Sequence, residues 1–129
     1  MVSNMNKIDK LVYGLINKYK TRDPIAICSS MNINVIIVDL PKSINSFHIK
    51  IFKKDTILIN DKISKKIATI SCAKELAHII IDTCNDPARL VNYSKPDNDH
   101  SIDYYDYFAA KLIFGKDIDT SSEDLFNVI

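Results

Sequence analysis

Cys72-Ala73-Lys74-Glu75-Leu76-Ala77-His78-Ile79-Ile80-Ile81 is the stretch whose reading decides the fold. Together with the residues before it, it predicts a helix over 65–83. Ser64 is the cap, and Ile67, Ile70, Ala73, Ala77, Ile80 and Ile81 form the buried stripe. Inside that helix, Glu75-x-x-His78 is the second half of a helical HExxH. In the full motif two histidines four residues apart share one face and reach one zinc ion, and the glutamate between them acts as general base on the bound water. Here Lys74 stands at the first histidine position. A bare Glu-x-x-His arises often by chance, so the setting has to carry the reading.

Upstream, Ile8, Leu11, Val12, Leu15 and Ile16 mark a helix over about 6–19. Asp23-Pro24 starts a second helix that runs to about Met31, with Asp23 as cap and Pro24 at its first position. Val35-Ile36-Ile37-Val38 reads as a strand ended by Pro41. From Phe47 to Phe52 apolar and polar residues alternate. This predicts Phe47, Ile49 and Ile51 on the core face and His48, exposed, on the other. Lys53-Lys54-Asp55 reads as a turn and Thr56 to Asn60 as the second arm of a hairpin, so three strands in a mostly antiparallel sheet are expected. Downstream, 85–99 is a polar loop, 101–114 a helix stopped by Gly115, and 121–126 a short last helix. Helices, sheet, helices: the order predicts one α+β domain over 1–129.

Composition narrows the function classes. The net charge is +1, from 17 basic and 16 acidic residues, so no electrostatic footprint for direct nucleic-acid binding is expected. No apolar run approaches the ~20 residues that span a bilayer, and the first ten residues lack the apolar core of a signal peptide. Cys28, Cys72 and Cys84 are an odd set without CxxC spacing, which points to a reducing, cytoplasmic setting without a disulfide framework. Cys72 and Cys84 read as small core residues rather than ligands.

Several segments in this order resemble the ImmA/IrrE family of metallopeptidase-like proteins of phages and mobile elements. They are Tyr19 to Pro24, Asn32 to Val35, Ile57 to Asn60, Cys72 to Ile81, and Phe108-Ala109-Ala110-Lys111-Leu112-Ile113, so that roughly residues 7–117 are covered. The resemblance implies a zincin-like domain whose zinc is held by the two histidines of HExxH and an acidic residue on the later helix. That helix normally reads Glu-x-Glu-Ala-Asn/Asp-x-Phe-Ala. Aligned on Phe108-Ala109, the Asn/Asp place is Asp106, which matches. The earlier places are Tyr105 for the small residue, Tyr104 for the second glutamate and Ile102 for the first. Lys74 and Ile102 are therefore degenerate ligand positions. His78 remains as a ligand if a metal is bound, with Asp103 and His100 as neighbours available to a relocated site.

A lysine ammonium has no lone pair for zinc. The expectation is a pseudoenzyme that binds no cofactor, with the Lys74 ammonium taking over part of the charge role of zinc by pairing with Glu75 or Asp103, and Tyr105 filling part of the cleft. Such a protein would act by protein–protein binding, on a repressor or on a host or defence protein. Three tyrosines, Tyr104, Tyr105 and Tyr107, point in different helical directions, so at least one is expected to be exposed for an interface. The alternative is an active zinc endopeptidase with a rearranged site, Glu75 its general base, cleaving a repressor.

Overall fold

The computed structural model describes residues 2–83 and 104–115. The expected loop over 85–99, the start of the later helix at 101–103, the helix at 121–126, and Cys84, Asp99, His100, Ile102 and Asp103 lie outside them. The described elements are α1 (Val2–Tyr19), α2 (Pro24–Ser30), β1 (Asn34–Val38), β2 (Ser46–Ile51), β3 (Lys54–Asn60), α3 (Lys65–Asp82) and α4 (Tyr104–Phe114). The α+β class read from the sequence is the class of this fold.

Local chemistry accounts for most boundaries. Asp23 caps α2 by accepting from the Ile25 N–H at 3.0 Å, and Pro24, which has no N–H to lose, opens it. Ser64 caps α3 by accepting from the Ile67 N–H at 3.2 Å. At the end of α4 the chain turns through Gly115 at φ 72, where its N–H returns to the Lys111 carbonyl. Arg22 lies against that turn and donates to the Leu112 carbonyl at 3.2 Å. A Cβ on Gly115 would meet the guanidinium at 2.5 Å and push that flexible side chain off the carbonyl, while the positive φ is what favours glycine there.

The sheet differs from its expectation. Its order is β1-β3-β2; β1 runs parallel to β3 and β2 antiparallel to it, so the sheet is mixed. The physical reason is the connection: β1 leaves through the 39–45 segment and returns as β2 at the far side of β3. The Asn60 side-chain amide pins that segment by donating to the carbonyls of Pro41 at 3.0 Å and Ile44 at 2.9 Å. The hairpin is also tighter than predicted. Ile51 pairs with Lys54, leaving Phe52 and Lys53 as a two-residue turn at φ 50 and 65. Positive φ at both central residues is the backbone that matches strand twist, and it is one that non-glycine residues adopt reluctantly.

Helix α3 lies across β2 and β3 with α2 and α4 beside it, and α4 packs between α3 and α1. Enclosure on several sides explains why Ile70, Ser71, Cys72, Ala73, Leu76 and Ala77 are all buried, a wider surface than a single stripe. Ile57 and Ile59 meet the helices from β3, and Ile8 and Val12 meet them from α1. Asp9 of α1 reaches α4, accepting from the Tyr107 hydroxyl at 2.8 Å and lying 3.8 Å from the fully buried Lys111 ammonium.

Replacing Lys53 with glycine removes the left-handed penalty at an exposed turn. A gain of about 1 kcal/mol is expected, read as a higher thermal midpoint; an unchanged or lower midpoint would contradict the turn geometry.

Candidate functional site

The polar residues of α3 gather where it crosses β2. His48, expected to be exposed, instead faces the helix, because its cross-strand partner is Ile57 and cross-strand partners share a face. Phe47, Ile49 and Ile51 consequently point to the other side of the sheet, the reverse of the assignment made from alternation alone. Alternation identifies two faces, and the tertiary layer decides which one is covered.

Glu75 is the centre of this region. One carboxylate oxygen accepts from the Ser46 hydroxyl at 2.7 Å and the other lies 2.6 Å from His48 Nδ1. Both oxygens are thus committed to strand β2. His78, one turn further along α3, stands with its ring 5.6 Å from that of His48 and stacks on Tyr105 at 3.7 Å. The Tyr105 hydroxyl donates to Asp82 at 2.8 Å, and His78 Nδ1 lies 3.9 Å from the same carboxylate group.

Lys74 forms no ion pair with Glu75 among the described residues, and Asp103 lies outside them. Its ammonium lies 3.2 Å from Asp106 on α4, joining the two helices. Asp106 is a partner that the sequence expectation did not name, and the expected pairing with Glu75 is not found: adjacent positions on a helix point about 100° apart, so Lys74 and Glu75 diverge towards α4 and β2 respectively. Ser43, Asn45 and Ser46 on one side and Ile67, Ile70 and Lys74 on the other line a cleft of about 410 Å³ that ends at Glu75. Among the described residues no three His, Cys, Asp or Glu side chains stand together as a metal-ligand set. Of the residues singled out in the sequence, Lys74, Glu75, His78 and Tyr105 meet here, while His100, Ile102 and Asp103 lie outside the described residues.

None of the three tyrosines is fully exposed. Tyr104 and Tyr107 are buried and Tyr105 is half-buried, because α4 has α1 on one flank and α3 on the other. Ser46 and His48 were missed by the sequence reading. The signal available was a polar alternation in β2 facing a helix that carries Lys-Glu-x-x-His, but alternation does not say which face is inward.

Beneath the site, Cys72 on α3 and Cys28 on α2 are fully buried with their sulfurs 3.9 Å apart. The contact with Cys28, followed by burial, pushes the Cys72 thiol far above its ordinary range, so it stays protonated and unreactive at neutral pH.

The geometry defines a class first: a small α+β domain whose helix α3 carries an ion-paired, hydrogen-bonded polar centre against an edge strand. No helix among the described residues is long and apolar enough to cross a membrane. The chain is 31% identical over 110 residues to the uncharacterized immunity region protein 2 of Bacillus phage phi105; the match covers 82% of this chain and 67% of the relative. It belongs to the family of that phage immunity-region protein. No protein-family model matches the chain, and no solved structure does.

Two outcomes test this geometry. Glu75→Ala leaves the Ser46 hydroxyl and His48 without their acceptor and should cost about 1–3 kcal/mol in urea unfolding, whereas a surface-like change below about 0.5 kcal/mol would contradict the bonds. Cys72 should resist an aromatic disulfide reagent in the folded protein and react once urea unfolds it, with the labelled peptide identified by mass spectrometry.

Proposed function

We propose that this chain is a metallopeptidase-fold regulator of a phage immunity system that acts by binding a protein and has lost the zinc-dependent cleavage reaction. The ion pair between Lys74 and Asp106 carries the reading. In the ImmA/IrrE-like arrangement position 74 supplies an imidazole lone pair to zinc. An ammonium has three donors and no acceptor, and its charge opposes that of a cation at the same place. The described donor set therefore does not fit the family's three-ligand zinc site, with His78 the single first-motif ligand retained.

Glu75 supports the same reading. A general base needs a carboxylate oxygen turned to the water it deprotonates. Here Ser46 and His48 occupy both oxygens and tie α3 to β2, so Glu75 serves as a strut. What remains is a cleft with hydroxyls, three isoleucines and an ammonium along its walls, a surface suited to holding a segment of another protein. The name of the phage relative, an immunity-region protein, supports a repressor as that partner, or a host protein acting in the same circuit.

Elemental analysis of the purified protein beside its Lys74→His variant is the test. Wild type is expected to hold far less than one zinc per chain. Near-stoichiometric zinc in wild type, together with casein cleavage abolished by Glu75→Gln, would overturn the proposal in favour of a working peptidase.

A further inference from the structure

The tip of the β2–β3 hairpin is built from residues that its geometry does not ask for. A two-residue turn with positive φ at both central positions is best met by Asn-Gly, because most side chains are penalised there. This chain carries Phe52 and Lys53 instead, at φ 50 and 65. The fold gives the Phe52 ring nothing in return, since 99% of the residue lies in solvent. Behind it, on the outer face, Ile51 keeps 38% and Ile49 42% of their surface exposed.

Charge gathers at the same place. Residues 50–55 read Lys-Ile-Phe-Lys-Lys-Asp, three lysines against one aspartate, so the tip carries +2 where the whole chain carries +1. Lys50 is paired with Asp55 at 3.6 Å, whereas no ion pair holds Lys53 or Lys54 among the described residues. The register puts Lys50 and Lys54 on opposite faces of the hairpin with Lys53 in the turn, so ammonium groups flank the apex on both sides.

We propose that this tip docks reversibly on an anionic lipid surface, the Phe52 ring entering the acyl-chain boundary while the lysines meet the headgroup phosphates. An apolar apex with a cationic collar matches a layer that is apolar within and anionic at its surface. Shape selects lipid over protein. The apex is convex, and its apolar surface falls far short of the ~800 Å² per partner of a standard protein interface. A protein would need a pocket moulded to it, whereas a fluid bilayer closes round any apex and sets no minimum area. Charge selects lipid over nucleic acid, because a net +2 displaces about two counterions, too few to hold a strand at physiological salt. The same arithmetic limits the strength. One ring and two net charges give an association on the order of 10³ M⁻¹ in accessible lipid, weaker than a single myristoyl chain. The tip lies at the far end of β2 from Ser46 and Glu75, so the contact stands whether or not the cleft binds a protein.

Co-sedimentation of the full chain with vesicles of equal parts phosphatidylglycerol and phosphatidylcholine tests the proposal. Wild type should be half bound near about 1 mM accessible lipid, and pure phosphatidylcholine should hold at least about tenfold less. Phe52→Asn and Lys53→Gly install the residues the turn prefers, so both variants should melt no lower than wild type. Phe52→Asn should nevertheless weaken binding about tenfold or more, and Lys53→Gly about fivefold. Ile37→Ser is the control: 63% exposed and paired with Ile59 near the other end of β3, it should bind as wild type does. Wild type left in the supernatant at about 5 mM lipid overturns the proposal, as does equal binding to the uncharged vesicles. Binding that survives Phe52→Asn and Lys53→Gly together, or that falls equally in Ile37→Ser, would place the lipid contact elsewhere and overturn it too. Phe52-dependent binding of a single-stranded oligonucleotide, with vesicles ignored, would give the tip to nucleic acid instead.

Discussion

Enclosure of α3 is the constraint on which the rest of the molecule depends. The helix is pressed by the sheet on one side and by α2 and α4 on others, yet its sequence carries Lys74, Glu75 and His78 in its middle. Polar groups taken from water must find partners or cost the fold several kilocalories. Each does so in a different direction: Glu75 to Ser46 and His48 on β2, Lys74 to Asp106 on α4, and His78 to the Tyr105 ring. These contacts fix how β2 and α4 sit against α3. The polar centre is thus part of the packing and at the same time the place where a cleft opens.

Much of this was legible in the residues. Caps at Asp23 and Ser64, the proline at 24 and the glycine at 115 each act through local chemistry, and each does in the structure what its type requires. Long-range choices were not legible. The parallel pairing of β1 with β3 depends on where the 39–45 segment is pinned, which Asn60 decides from a distant part of the chain. The inward turn of His48 depends on which face α3 covers. The sequence pattern there pointed to the wrong face because β2 is apolar on the side that the helices leave open.

Lys74 illustrates how one residue type organises its surroundings. Its ammonium, carried on a long stem, reaches across to Asp106 on α4. Tyr105, next to Asp106 on the same helix, lays its ring on His78. Both residues therefore join α3 to α4, one by charge and the other by ring stacking.

The contacts of α1 have a consequence for how the molecule is made. Asp9 meets Tyr107 across 98 residues, and Arg22 meets the end of α4 across 90. Helix α1 therefore leaves the ribosome with an apolar stripe whose covering helix is synthesised nearly a hundred residues later. The hairpin and α3 can assemble early from neighbouring segments, but the layer formed by α1 and α4 closes only once α4 has been synthesised. During synthesis α1 is an amphipathic helix without its main partner, and at translation speeds of about 5–20 residues per second that interval lasts several seconds.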